Sequence, residues 1–420
     1  MVYINRKIQA QIERLLATGK SLLLLGPRQT GKTTLIQSLN VDWYVSFLEP
    51  RTRQRYERNP SVFADEVAAI VERLRGEKSV NQYSMRARET DSASSCKKPL
   101  IVIDEVQKIP IMMDVAQHLI DTQQAQLILT GSSARKLRRA PDVNFLPGRL
   151  IPLHMTPLCI NEYLDYLPQQ NSDNSLVSLL LFGSLPEIFL TQETELKQIL
   201  LSAYVTTYLE EEVRSEALVR DLAPFAHFLE LSAGEAGHPI NQNKLSQRIG
   251  VAQTTITNYY QILEDCLICA RVSPLLDGKT RHRLSKSDKI LFFDLGVRRV
   301  AAGEGLDPPE KHFGHLFEQF VGLECLRLLH TCVNSAKLCY WRDLNGPEVD
   351  WVLVFPDCYI PIEVKWTDAP KKSDARHLEL FIAEHEKAKQ GFVVCRTPRP
   401  MQLTDNVQAI PWQMIPILFQ

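Results

Sequence analysis

The chain has 420 residues, of which 45% are hydrophobic and 23% charged, with 48 basic against 49 acidic side chains. That length exceeds one ordinary core, so about two to four domains are expected, and the near-zero net charge supplies no global basic field for nucleic acid, which only a local patch could attract. No uncharged run reaches the ~18 residues that span a bilayer, the start Met1-Val2-Tyr3-Ile4-Asn5-Arg6-Lys7 has no apolar signal core, and the 9 cysteines are odd in number, which together predict a cytoplasmic protein with reduced thiols and no membrane association.

The first strong signal is Ser21-Leu22-Leu23-Leu24-Leu25, a run that reads as a buried parallel strand. It leads into Gly26-Pro27-Arg28-Gln29-Thr30-Gly31-Lys32-Thr33, which fits G-x-x-x-x-G-K-[ST], and then into an amphipathic helix over Thr33 to Leu39. Strand, loop and helix in this order make a phosphate-binding loop. Its glycines let backbone N–H groups turn toward the α- and β-phosphates of ATP, and the helix N-terminus adds partial positive charge. Lys32 is expected to reach the β- and γ-phosphates and the Thr33 hydroxyl to ligate Mg²⁺.

The segment Glu77 to Lys98 is polar and aperiodic and reads as a mobile surface insertion. After it, Leu100-Ile101-Val102-Ile103 runs into Asp104-Glu105, as where a central parallel strand ends at the ligand edge of a doubly wound sheet. Asp104 is expected in the Mg²⁺ shell, with Glu105 polarising the attacking water. The next strand, Gln126 to Thr130, ends in Gly131-Ser132-Ser133, whose hydroxyls could sense the γ-phosphate or merely cap a helix at Ala134 to Leu137. Thr130 is taken with the nucleotide contacts. Arg149, just beyond this core, could reach a neighbouring subunit's γ-phosphate or tie down its own strand end.

Beyond Pro157 the strands stop, and Asn161 to about Gly234 reads as helical, interrupted at Gly183-Ser184-Leu185-Pro186, suiting a lid beside the nucleotide. Leu245 to Val251 and Ala252 to Tyr260 then have the short helix, Gly-containing turn and polar-faced second helix of a helix-turn-helix. Gln253, Thr254, Thr257 and Asn258 are expected on one exposed face. Arg271 to Lys289 carries Arg271, Lys279, Arg281, Arg283, Lys286 and Lys289 against Asp277 and Asp288, which suits a basic wing. Because the second helix itself lacks Arg and Lys, DNA contact competes with a protein-packing role. Cys266-Leu267-Ile268-Cys269 has no second pair at zinc spacing and is read as apolar core.

From His312 a second α/β unit begins with a helix containing Glu318, followed by strands over Lys337 to Arg342, Val349 to Phe355 and Cys358 to Trp366. Asp350 interrupts one apolar strand, and Glu363 and Lys365 lie two apart on the next, hence on one face. An acid followed by Glu-x-Lys on a paired strand is how a metal-dependent phosphodiesterase assembles its site: carboxylates bind Mg²⁺ and the ammonium steadies hydroxide or phosphorane charge. An exposed salt-bridged strand face has the same pattern, and both readings stay open.

Taken together, GPRQTGKTTL, IVIDEVQKIP, LTGSSARKL, LPGRL, FGSLPE, FFDLGVRRVAAG, HLFEQFV, YWRDLNGPEVDWVL and IPIEVKW, in that order, resemble the bacterial and archaeal AAA-type ATPases with a C-terminal restriction-endonuclease-like, PD-(D/E)xK-type domain. The resemblance spans essentially the full length. It implies an α/β fold with an AAA-like P-loop NTPase domain over residues 1–155, a helical lid over 156–235, a winged helix-turn-helix over 236–304 and a restriction-endonuclease-like domain over 305–420. It also implies ATP binding at Lys32 and Thr33, hydrolysis through Asp104 and Glu105, and a nuclease-like quartet of Glu318, Asp350, Glu363 and Lys365, with the three acids as metal ligands. DNA and further copies of the chain are the expected partners. Where this family often has Tyr-Leu-Glu-Arg-Asp-Val, the chain has Tyr208-Leu209-Glu210-Glu211-Glu212-Val213, so if that arginine contacts nucleotide across a subunit boundary, its role here is vacant or moves to Arg149 or Arg214. The competing expectation is a regulatory NTPase switch whose C-terminal modules only bind protein or DNA.

Overall fold

A computed structural model describes residues 3–83, 98–132, 148–167, 172–209, 222–276, 287–331, 336–343 and 346–419. The chain separates into two compact units, one of Ile8–Met155 and one that joins Met1–Lys7 to Thr156–Gln420.

The smaller unit is a five-stranded, wholly parallel sheet. Its strands are β1 (Ser21–Leu25), β2 (Trp43–Ser46), β3 (Leu100–Asp104), β4 (Gln126–Gly131) and β5 (Leu150–His154), in the order β2-β3-β4-β1-β5. β1 is buried at all five positions, and β3 and β4 at all but their first. Hence these strands read as continuous aliphatic runs without alternation, as covering helices on both faces require. Leu22, Leu24, Ile36, Val102, Ile128 and Leu153 form one core cluster with Ile8 and Ile12 of the helix Lys7–Ala17. The helix Ser61–Tyr83 runs on past Glu77, so the start of the expected insertion is regular structure. Its remainder, 84–97, lies outside the described residues.

In the larger unit the first residues are tied down by charge. Arg6 Nε lies 3.0 Å from Glu162 Oε2, and its guanidinium donates to Thr156 O at 2.7 Å. The N-terminal segment therefore departs from the expected 1–155 boundary. Helices Ser172–Phe182, Pro186–Leu190, Thr194–Ala203 and Leu222–Gly234 follow, and Tyr204–Leu209 forms a wide π-type turn. Glu210 to Val213 and Arg214 lie outside the described residues. Then come the helices Gln242–Ile249 and Gln253–Asp265, a hairpin of β6 (Cys269–Val272) and β7 (Lys289–Phe292), and the helix Leu295–Ala301.

The helix Glu310–Thr331 leads into a mixed six-stranded sheet of β8 (Lys337–Arg342), β9 (Glu348–Val354), β10 (Tyr359–Val364), β11 (Gly391–Cys395), β12 (Met401–Gln402) and β13 (Val407–Pro411). The strand order is β12-β13-β11-β10-β9-β8. A Cβ on Gly322 would lie 2.7 Å from the Trp351 ring and 3.0 Å from Leu291 Cδ1. Glycine there is what lets the long helix lie against both β9 and β7.

Buried charge joins the sequence motifs of this unit. Asp294, fully buried, accepts from the N–H groups of Ser184, Gly296 and Val297. Arg327 donates to Phe293 O, to Leu158 O and to Glu324, whose other oxygen accepts from Ile160 N. Gly183 has φ +72°, and a Cβ there would fall 2.0 Å from Asp294 Oδ1. The FGSLPE and FFDLG segments are thus two sides of one buried polar joint, in which Arg327 Nε is buried without a hydrogen-bond partner.

Candidate functional site

The phosphate-binding loop leaves β1 at Leu25 and enters the helix Lys32–Gln37 through Gly31, which adopts φ 91°. Gly26 has no room for a side chain, since a Cβ would lie 2.3 Å from Met155 O. Gln29 is also left-handed, at φ 60°, a backbone turn of the kind that anion-cradling loops use. Thr30, fully buried, donates to Pro27 O at 2.8 Å, while Lys32 Nζ donates to Gly26 O at 2.7 Å and Pro27 O at 2.9 Å. The lysine ammonium is therefore held against the loop's own main chain and not against a carboxylate in any of these bonds. Arg28 is half-buried, and Thr33 and Thr34 are exposed on the first turn of the helix.

Asp104 and Glu105 stand at the C-terminal tip of β3, the same sheet edge as the loop. Asp104 is 2% exposed and accepts from Thr130 Oγ1 at 2.6 Å, Tyr44 Oη at 2.8 Å and Ser46 Oγ at 3.1 Å. Burial first, and then the Asp104 charge, push the Tyr44 phenol up to about 12, so it remains a donor at neutral pH. Thr130 also accepts from Glu105 N at 3.0 Å. Its hydroxyl thus bridges the side chain of one acid and the backbone of the next. Glu105 sits at φ 58°, an uncommon backbone state for a side-chain-bearing residue. Its Oε2 accepts from Ser132 Oγ at 3.0 Å and from Gln107 Nε2, which itself donates to Ser132 Oγ at 3.0 Å. Tyr44, Ser46 and Gln107 are functional neighbours that the motif reading did not single out.

Arg149 lies at the opposite end of the sheet, before the first residue of β5, where it pairs with Asp121. That contact matches the strand-tying alternative. Ser133 to Leu137 lie outside the described residues.

In the second unit, Asn241 caps the helix Gln242–Ile249 by accepting from Lys244 N, and Gly250 ends it at φ 79°. Gln253, Thr254, Thr257 and Asn258 are all exposed on the next helix. The expected basic wing fares differently. Arg271 is paired with Glu264 and, at 3.0 Å, with Asp288, and Lys289 is only 1% exposed. Both described ends of the charge run are neutralised within the fold. Lys279, Arg281, Arg283 and Lys286 lie outside the described residues. Cys266 and Cys269 are buried, and among the described residues no group of three or more His, Cys, Asp or Glu is placed to hold a metal ion.

The C-terminal acids meet a different environment. The antiparallel register Ile362↔Trp351 brings Glu363 and Asp350 side by side on one face. Asp350 accepts from Val364 N at 2.8 Å, and Glu363 Oε1 accepts from Lys365 Nζ at 2.6 Å. Glu318 does not join them directly. It is drawn to Lys289 Nζ at 3.0 Å, which also lies 3.0 Å from Glu348 Oε1 and 4.9 Å from the ring centroids of Tyr340 and Trp351. Burial, then the Glu318 charge, push Asp350 up to about 7, with Lys289 opposing; burial and the Asp350 charge likewise push Glu363 to about 7 against Lys365. Burial disfavours the Lys289 ammonium, but Glu318, Glu348 and Asp350 outweigh it and hold its pKa above the ordinary lysine value. Lys289 and Glu348 are the members of this cluster that the motif reading did not single out.

Residues 18–164 match a family described as an AAA domain. Together with the all-parallel sheet and the loop geometry, this defines the smaller unit as a P-loop ATPase domain of the AAA class. Residues 173–308 and 313–415 match two families described as domains of unknown function, DUF8612 and DUF4143. The chain is similar to Uncharacterized protein Rv2008c of Mycobacterium tuberculosis, 24% identical over 421 residues, covering 99% of this chain and 85% of the relative. It is also similar to Uncharacterized protein MJ1637 of Methanocaldococcus jannaschii, 24% identical over 354 residues, covering 76% and 70%. Among solved structures, the Aeropyrum pernix ORC1 protein in complex with DNA aligns with 72% of this chain and 93% of its own, at 17% identity and a TM-score of 0.28. At that score the likeness carries nothing further. No described helix is long and apolar enough to cross a membrane.

Proposed function

We propose that the protein is a Mg²⁺-dependent ATPase whose nucleotide cycle is coupled to DNA engagement by its larger unit. The observation that carries the ATPase half is the placement of Asp104 and Glu105, both held by neutral donors, at the same sheet edge as the Gly26–Thr33 loop. The loop amides and Lys32 bind the phosphates, and Thr33 and Asp104 would hold Mg²⁺, which supplies charge neutralisation on the phosphates. Glu105 takes a proton from the attacking water; Ser132 and Gln107 fix the orientation of its carboxylate. A catalytic role for Arg149 would fall on a neighbouring copy in a homo-oligomer, since it stands at the far end of its own sheet.

The DNA half rests on the two-helix arrangement of Gln242–Ile249 and Gln253–Asp265 followed by the β6–β7 hairpin, a winged helix-turn-helix reading, with the polar face of the second helix exposed. Phosphate release should require Mg²⁺ and change several-fold with duplex DNA at low salt. Absence of hydrolysis would refute the ATPase half. Hydrolysis indifferent to DNA, with no DNA retained at low salt, would leave the regulatory switch.

A second reading takes the C-terminal sheet as restriction-endonuclease-like, favoured by the shared face of Asp350 and Glu363. In the arrangement described, the acids are neutralised by Lys289 and Lys365 and do not fit a divalent ion, so no cleavage step follows from it. Nicking of plasmid DNA in Mn²⁺, lost in Glu363→Gln, is the result that would establish activity.

A further inference from the structure

Both described ends of the hairpin's charge run are paired within the fold. Exposed cationic charge lies instead on the smaller unit, on the helix Pro50–Arg58, whose sequence PRTRQRYER carries four arginines against one acid, Glu57. Pro50 opens the helix, and Arg53 N closes its first turn on Glu49 O at 2.9 Å. Its buried residue, Tyr56, holds it in place: the ring meets Phe47 and Phe63 at centroid distances of 5.9 Å and 5.4 Å, and the hydroxyl donates to Glu66. The helix leaves the ligand edge of the sheet, since β2 ends at Ser46, which donates to Asp104, and Phe47 N bonds Asp104 O at 3.0 Å.

Arg51, Arg55 and Arg58 follow at i, i+4 and i+7 and so form one stripe along the helix. All three are exposed. Among the described residues Arg51 and Arg58 have no carboxylate partner. Arg55 reaches Glu66, yet its side chain stays 58% exposed, and Arg53, on another face, comes only within 3.9 Å of Glu57. Ion pairs this exposed contribute little and exchange readily for another anion. The stripe rises over about 10 Å, a length in which one strand of B-form DNA presents about three phosphates. Every cation of the helix is arginine, whose planar fork matches a phosphate where a lysine offers a point charge.

We propose that the helix Pro50–Arg58 is a duplex-DNA contact on the ATPase unit itself, in which Arg51, Arg55 and Arg58 grip successive phosphates of the backbone. Guanidiniums on phosphates position a duplex without reading its sequence, so this contact supplies affinity and not base specificity. It is separate from the DNA engagement proposed for the larger unit and does not depend on it.

The test uses the full-length chain and a labelled mixed-sequence duplex of about 30 base pairs, with binding read by fluorescence anisotropy between about 50 and 200 mM salt. Arg51→Gln/Arg58→Gln leaves the Arg55–Glu66 pair intact and changes exposed positions, so thermal denaturation should match wild type. This double variant should bind about ten-fold or more weakly at the low-salt end, and the slope of log K against log salt should fall by about 2. Adding Arg55→Gln should lower that slope by about one more. A variant with alanine at Gln253, Thr254, Thr257 and Asn258 probes the larger unit separately. Wild-type affinity and slope in the double variant would overturn the helix contact, and loss of binding in the four-alanine variant alone would then leave the larger-unit reading standing. No binding of the duplex by wild type at the low-salt end would overturn both. Poly-L-glutamate held as tightly as the duplex, and released by the double variant, would overturn the DNA assignment in favour of an acidic protein.

Discussion

At the tip of β3, Asp104 is held by three hydroxyls and Glu105 by a hydroxyl and an amide; around β9 and β10, Glu318, Glu348 and Glu363 are held by ammonium groups. Neutral donors fix a carboxylate without cancelling its charge, leaving it able to act on a cation or a water. An ammonium both fixes and neutralises it. Lysine follows the same logic in reverse. Lys32 donates to two main-chain carbonyls of its own loop, whereas Lys289 is paired with two acids. Two clusters of similar composition are thus in different states of readiness, set by partners and not by the acids themselves.

The sharpest break of this comparison is at Lys32. Lys32→Ala should remove nucleotide binding or lower turnover by about 10³-fold or more, because it deletes the ammonium that lies against the loop main chain. Retained hydrolysis would mean that the phosphate site lies elsewhere. At the other cluster the expected loss is in stability. Lys289→Gln strips a buried cation from Glu318 and Glu348 and should cost roughly 3–5 kcal/mol, the range for breaking one side of a buried pair. Urea denaturation measures it, and a loss below about 1 kcal/mol would show the acids to be neutral or hydrated there.

A smaller effect should follow pH. His315 stacks on His238 with centroids 4.1 Å apart, and burial, then the neighbouring His238 and Arg298, lower its pKa to about 3. The folded chain thus binds fewer protons than the unfolded chain below the ordinary histidine value of 6.5. Its contribution is full above that value and is lost as pH falls toward 3. Asp350 and Glu363 run the other way: their raised values stabilise at low pH and lose that contribution as pH rises through about 7. The difference between wild type and His315→Gln isolates the first effect. Wild type should lose more stability between pH 7.5 and pH 5.5, and parallel pH curves would refute the assignment. The smallest effect belongs to Tyr44. Tyr44→Phe removes one of three donors from Asp104 and should lower turnover by about two- to five-fold with ATP affinity nearly kept.

The loop and the strand tip of the candidate nucleotide site are legible in the sequence because each is local. Gly26 to Thr33 and Ile101 to Glu105 each carry their own strand and turn signals. Tyr44 and Ser46 were not legible, since β2 is four residues of mixed polarity whose place beside β3 is fixed only by the sheet register. The C-terminal strands were visible from their aliphatic runs, as was the shared face of Asp350 and Glu363. Lys289 was misleading. Within a run of six basic residues it reads as an exposed wing, and only packing of β7 against the helix Glu310–Thr331 buries it. Arg271 was hidden by the same charge run and is spent on Glu264 and Asp288. Charge counted along a chain locates basic residues but says nothing of which are already paired.

The role of Glu105 is tested most directly by measuring ATP binding and phosphate release on one preparation of Glu105→Gln. The amide preserves the volume and can still bond Ser132 but cannot take a proton, so Mg²⁺-ATP should bind as in wild type while hydrolysis slows by about 10²-fold or more. Wild-type turnover in Glu105→Gln would contradict the assignment of Glu105 as the base and with it the proposed division between a poised and a neutralised acid cluster.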